Sequence, residues 1–193
     1  GSINFVLDGE LSAGVTSKDV MMALLGQHSA GKAQYMSIEF SGSGAAALSV
    51  DARMTMSNTG VEMGAKFAMF AADEKTLEYL STRTDAKIET FGPDADAVYL
   101  ETHHIDCTSL EPQVAFPHNP DNVRPISEVG EVPVQQAFIG SCTNSRTEDL
   151  ERAAAILKGR KVAPGTRLLV IPSSQEVMMN VTKSGVLNDL VQA

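Results

Sequence analysis

Gln136-Ala137-Phe138-Ile139-Gly140-Ser141-Cys142-Thr143-Asn144-Ser145-Arg146 is the stretch that decides how this chain folds. It opens on a short apolar run of strand length, Gly140 breaks the run, and the Ser/Thr/Asn cluster behind it is turn chemistry. Ser145 with Glu148 has the spacing of a capping box, Leu150, Ala153, Ala154 and Leu157 share one helical face, and Gly159 suits the helix end. The unit is strand, turn, helix. Arg167 to Ile171 repeats the strand, Ser173 or Ser174 caps another helix, and a last amphipathic segment runs to Ala193. Such alternation predicts an α/β architecture with a mainly parallel sheet in this half.

Toward the N-terminus, Pro112, Pro117, Pro120 and Pro125 crowd a short span that reads as irregular, which places a domain junction near Glu111. Residues 1–111 and 112–193 are thus expected to form two α/β parts. In the first, Ile3 to Leu7 alternates as a strand and Asp8-Gly9 suits a hairpin turn. Thr16 or Ser17 begins a helix whose Val20, Met21, Leu24 and Leu25 share a face, ending near Gly26. Gln34 to Phe40 reads as a strand running into Ser41-Gly42-Ser43-Gly44 and an Ala-rich helix. The lone GxG reads as a tight turn more readily than as a phosphate cradle. Met54, Met56, Met63 and Met69 suit core filling, Asp73-Glu74 starts a helix through Leu77 and Leu80, and Asp96 to Asp106 alternates as a strand.

Composition narrows the function classes. A chain of 193 residues with 43% hydrophobic and 20% charged residues can bury a core, and no apolar run spans a bilayer. Its net charge of −9 would repel a polyphosphate backbone, so neither nucleic acid nor membrane is the expected partner, and a cytoplasmic location is the default. Gly1-Ser2, with no initiating Met, reads as the remnant of a cleaved tag, with the natural start upstream.

Two cysteines, Cys107 and Cys142, are too few for a disulfide framework and form no CxxC pair. Cys142 stands in a turn after a strand and before a helix N-terminus, where backbone N–H groups and the helix dipole favour a thiolate. That suits a cysteine nucleophile, which needs a histidine base, or an iron ligand, which needs companion ligands; a turn cysteine with only a packing task is the plain alternative. His103 and His104 are adjacent on a strand, so they face opposite ways and do not easily share one ion. Arg53 and Arg146 could meet substrate carboxylates, although a salt bridge is the commoner fate.

The residues around Cys142 carry a further signal. Ile139 to Arg146, continuing through Glu148-Asp149-Leu150 and Ala153-Ala154 and on to Val170-Ile171-Pro172-Ser173-Ser174, resembles the first cluster-binding motif of the aconitase superfamily. Val114 to Val123, Glu39-Phe40-Ser41-Gly42, Arg53 to Asn58 and Glu62-Met63-Gly64-Ala65-Lys66 resemble that superfamily in the same order. The pattern is most similar to the isopropylmalate dehydratase large-subunit branch, of the short kind shared with homoaconitase.

The resemblance implies an aconitase-type three-layer α/β architecture. It also implies a hydro-lyase that dehydrates a 2-hydroxy di- or tricarboxylate and rehydrates it on the neighbouring carbon, in the service of leucine biosynthesis. It further implies a [4Fe–4S] cluster held by three cysteines. Cys142 matches the first ligand, and Asn144 stands at the cofactor in the same motif. The other two ligands belong to a Gly-Cys-Gly-Pro-Cys-like segment absent here, so the chain is expected to be a fragment that lacks the cluster and is inactive alone. The N-terminal catalytic domain and the swivelling small subunit are likewise expected outside it. Cys107 matches no ligand.

By the same resemblance Asn58 hydrogen-bonds near the cluster and Glu62 faces the iron-bound water. A four-residue spacing on one helix would let them address one site together. His118 matches a packing or hydrogen-bonding position. A homoaconitase or aconitase fragment, a cysteine-nucleophile hydrolase and a non-catalytic interaction module are the competing readings.

Overall fold

The computed structural model describes all of residues 1–193. They divide into two compact units, Gly1–Val129 and Gly130–Ala193.

The first unit is built on β1 (Ser2–Asp8), α1 (Ser17–His28), β2 (Ser37–Ser41), α2 (Gly42–Ala47), α3 (Val50–Thr59), a 3₁₀ turn over Gly60–Met63, β3 (Phe67–Phe70), α4 (Glu74–Ser81) and β4 (Glu101–Asp106). The four strands form one sheet in the order β3-β2-β1-β4, every neighbouring pair parallel. Alternation sends Ile3, Phe5 and Leu7 of β1 and Ile38 and Phe40 of β2 to one face, where Val20, Met21, Leu24 and Leu25 of α1 and Met56 of α3 close over them. The helix face read from the sequence is therefore the buried one. α1 continues past Gly26 to His28, with Thr16 at its N-cap and Asp19 reaching back to the Thr16 N–H and hydroxyl, both at 2.7 Å.

Several expectations need correction here. Asp8-Gly9 makes no hairpin: β1 pairs parallel with both neighbours, and the turn only starts the loop toward α1. The strand expected over Asp96–Asp106 begins at Glu101. Met56 and Met63 are core, but Met69 is 43% exposed on the edge strand β3. The Gly42 turn is as tight as expected. Gly42 has φ +92°, and a Cβ there would lie 2.4 Å from the Leu7 carbonyl oxygen, so only glycine lets α2 follow β2 this closely.

The proline-rich stretch does not separate the units near Glu111. Its prolines flank two short strands, β5 (Gln113–Ala115) and β6 (Val123–Pro125), paired antiparallel, with a 3₁₀ turn over Ile126–Glu128. Pro125 ends the pairing at the rim of the ladder, where a missing N–H is tolerated. Long-range hydrogen bonds tie this hairpin to the first unit: Gln113 N–H donates to Asp19 Oδ1 at 2.8 Å and Ala30 N–H to Asp121 Oδ2 at 3.0 Å. The junction lies after Val129 instead.

The second unit contains β7 (Gln136–Ile139), α5 (Thr147–Leu157), β8 (Arg167–Val170), α6 (Gln175–Lys183) and α7 (Val186–Gln192). β7 and β8 pair parallel, as the strand–turn–helix alternation predicts. Leu150, Ala154, Val177, Val181 and Leu190 form its core, with Ile139, Ala153, Leu157 and Val170 packed against them. Ser174 caps α6 by accepting from the Val177 N–H at 3.1 Å.

Candidate active-site residues and family

Cys142 lies on the loop between the end of β7 at Ile139 and the start of α5 at Thr147, at the carboxyl edge of the parallel pair. The loop is longer than the sequence reading assumed. Arg146, not Ser145, is the N-cap, and its N–H donates to Asp149 Oδ2 at 3.1 Å in place of the expected Ser145–Glu148 box. The physical reason is Ser145 itself: φ +69° turns the chain away from the helix there, the side chain is fully buried, and its carbonyl accepts from the Ser173 N–H at 3.0 Å. Cys142 is therefore set back from the helix N-terminus, so the helix dipole acts on it less directly than expected.

What the loop gains is bracing. The Ser141 and Thr143 hydroxyls are 2.9 Å apart, and Ser141 Oγ also accepts from the Thr143 N–H at 3.2 Å. Thr143 Oγ1 donates to Asn144 Oδ1 at 3.1 Å, and Asn144 Nδ2 donates to Asp149 Oδ2 at 3.2 Å. Thr143 and Ser145 are buried while Cys142 is exposed. A polar network thus holds the backbone on either side of an outward-facing sulfur. Asp149 joins loop to helix by accepting from both Asn144 and Arg146; sequence reasoning missed it, although Arg146-x-x-Asp149 has the same spacing as the box it chose.

Asn58 and Glu62 belong to the first unit, and both are exposed. They do not share one α-helix. α3 ends at Thr59 and tightens into the Gly60–Met63 3₁₀ turn, which eclipses residues three apart, so Glu62 is rotated off the position directly above Asn58. Both stand at the helix end that leads into the amino end of β3. The Glu62 carboxylate makes no hydrogen bond or ion pair with the rest of the chain, and its sequence spacing gives no sign of this.

The remaining candidates are engaged elsewhere. Arg53, 5% exposed, grips Asp73 with two bonds of 2.8 and 2.6 Å, and this fork holds the Asp73 carboxyl far below the usual carboxylate range. His103 and His104 face opposite ways as expected, His103 to Glu101 at 2.8 Å and His104 to Asp8 at 2.9 Å. His118 is exposed on the β5–β6 hairpin loop. Cys107 is buried at the end of β4, where burial raises its thiol pKa, and neither cysteine is in a disulfide. No group of three or more His, Cys, Asp or Glu side chains is placed to hold a metal ion. No helix is long and apolar enough to cross a membrane.

Comparison with known proteins converges on one family. The model of the aconitase family (aconitate hydratase) matches residues 1–132 and 127–193. The chain is 42% identical over 192 residues to the 3-isopropylmalate dehydratase large subunit of Clostridium kluyveri and 43% identical to that of Syntrophus aciditrophicus. It is 44% identical to the probable 3-isopropylmalate dehydratase large subunit of Methanothermobacter thermautotrophicus. Each comparison covers 100% of this chain and 46% of the relative, so the chain spans about half the length of the curated relatives it matches. On the family match over its whole length, the chain belongs to the aconitase family.

Proposed function

We propose that the chain is part of the large subunit of an iron–sulfur hydro-lyase that isomerises 3-isopropylmalate by dehydration and rehydration, working with a separate small subunit. The supporting observation is the end-to-end similarity to large subunits of that name, with Cys142 carried on an exposed, internally braced loop at the carboxyl edge of β7. Open α/β sheets gather functional groups at that edge.

The cysteine inventory bears directly on the cofactor. A [4Fe–4S] cluster supplies Lewis acidity toward a departing hydroxyl and takes several thiolate ligands. This chain offers one exposed thiol, its other cysteine is buried in the first unit, and no group of three or more His, Cys, Asp or Glu side chains is placed around either to hold a metal ion. The chain alone therefore does not fit a cluster, and Cys142 is one ligand of a set completed by residues outside it. Asn144 fixes the Cys142 loop on Asp149. Glu62, with no partner of its own in the chain, has a carboxylate available to accept a proton from a water or hydroxyl at the finished site, and Asn58 is assigned a hydrogen-bonding role near the cluster. The reading as a cysteine-nucleophile hydrolase has less support, because all four histidines lie in the first unit and none accompanies Cys142 in the second.

The test uses the whole large subunit with its small subunit. Cys142→Ser should lose iron, sulfide and the broad visible absorption, since a serine hydroxyl is a poor ligand for soft iron. Glu62→Gln should keep the absorption and slow turnover by about two to four decades, roughly 3 to 5 kcal/mol of barrier. Retention of the full absorption by Cys142→Ser would overturn its assignment as a ligand. Loss of it in Glu62→Gln would move Glu62 from the reaction to the support of the cofactor.

A further inference from the structure

We propose that a slot at the carboxyl ends of β2 and β3 binds a small organic cation, a primary ammonium carried on an aromatic or branched apolar body. The slot has a volume of 240 Å³ and lies in the first unit between Glu39 and Ser41 on β2, Met69 and Phe70 on β3, and Phe91 and Tyr99 of the connection to β4. At roughly 30 Å³ per water of liquid, that is room for a ligand of on the order of eight to ten heavy atoms. Its walls are aromatic and aliphatic, and the only charged group among them is Glu39.

Glu39 is what sets the sign of the ligand. Two other part-buried carboxylates of this unit are matched to cations, Asp73 to Arg53 and Glu101 to Lys32 and His103, while Asp19 is filled by three neutral donors, the Thr16 N–H and hydroxyl and the Gln113 N–H. Glu39 has no cation. Its one partner is the Tyr99 hydroxyl, which donates to Oε2 at 2.6 Å; this bond, followed by burial, pushes the phenol up to about 12. A half-buried carboxylate with a single neutral donor retains lone pairs for a further donor, and an ammonium satisfies them with charge as well as hydrogen bonds. Phe91 lines the slot and is 81% exposed, and a cation over or beside such a ring is attracted by its quadrupole. The same carboxylate repels hydroxy di- and tricarboxylates, so this site is separate from the proposed reaction and stands or falls independently of it.

The test is a ¹H–¹⁵N NMR titration of the chain with 2-phenylethylammonium, against 3-phenylpropionate and 2-phenylethanol as probes of matching shape. Saturable shifts at Glu39, Ser41, Met69 and Tyr99 are expected with the ammonium, about tenfold weaker binding with the alcohol, and none with the carboxylate. Glu39→Gln should weaken the ammonium about tenfold, whereas Tyr99→Phe, which keeps the carboxylate and removes its donor, should bind at least as tightly. Should Glu39→Gln fail to fold, the carboxylate probe and Tyr99→Phe decide. Equal shifts from ammonium and carboxylate, or no saturation up to about 10 mM, would overturn the proposal.

Discussion

The Arg53–Asp73 pair allows a sharp prediction, because the guanidinium is nearly fully buried and the carboxylate is not. The Arg53 side chain is 6% exposed against 37% for Asp73. Arg53 Nη2 also donates to the Ala46 carbonyl at 3.3 Å, while its Nε is buried with no partner, so Asp73 supplies most of what compensates the charge. Asp73 is in addition the N-cap of α4, accepting from the Thr76 N–H at 3.1 Å. Breaking a buried pair by removing one partner costs about 3 to 5 kcal/mol, and the solvent exposure of Asp73 reduces this to about 2 to 3. Loss of the cap adds about 1. Asp73→Ala should therefore cost about 3 to 4 kcal/mol, Asp73→Asn about 2 because its amide oxygen still caps, and Arg53→Met with Asp73→Leu should recover much of the loss. The pair's contribution is complete above the unfolded-state value of about 3.9 and fades as pH falls below it, because the folded carboxyl titrates lower still. Urea unfolding followed by far-UV circular dichroism, with amide exchange at β2 and β3 to isolate the first unit, measures each step. A loss under about 0.5 kcal/mol for Asp73→Ala, or equal losses for Ala and Asn, would refute the reasoning.

Other consequences are simpler to check. The His28 ring sits 4.5 Å from that of His103 and 5.5 Å from that of Phe5; burial, then His103 and Lys32, hold it below its ordinary value despite Glu101. The unfolded chain then takes up the proton first, so the first unit should lose stability as pH falls below about 6.5, and His28→Phe should flatten that slope in thermal melts from pH 5 to 7. Leu150→Ala, at a fully buried position of the small second core, should cost about 2 to 5 kcal/mol and raise amide exchange in β7 and β8 while β1 and β2 stay protected. At Gly60 a Cβ would lie 2.4 Å from the Cβ of Ala68, so Gly60→Ala should cost about 1 to 3 kcal/mol in urea unfolding, and Gly60→Ala with Ala68→Gly should recover most of it.

What could be read in the sequence follows how far apart the deciding interactions lie. The face of α1 and the face of α5 were legible because each repeats a local period, and a 3.6-residue stripe needs a core to cover it wherever the chain goes. The β1–β2 register was not, since Asp8-Gly9 is an equally good turn at the end of a parallel strand or inside a hairpin, and the choice falls to Ser37–Ser41 pairing alongside from far down the chain. The proline-rich hairpin was misread for the same reason: its backbone groups are satisfied by Asp19 and by one another, contacts that no local breaker signal reveals. Around Cys142 two caps one residue apart were both written in the sequence, and Ser173, on the strand-to-helix turn after β8, selects between them by taking the Ser145 carbonyl. Asn58 and Glu62 mark the limit of such reading. Their four-residue spacing carries meaning only if α3 continues, and Gly60, packed where even a methyl group would collide with β3, is where the helix tightens instead. An amide and a carboxylate displaced around the axis in this way leave the turn on two sides, which is a different geometry from one stacked above the other.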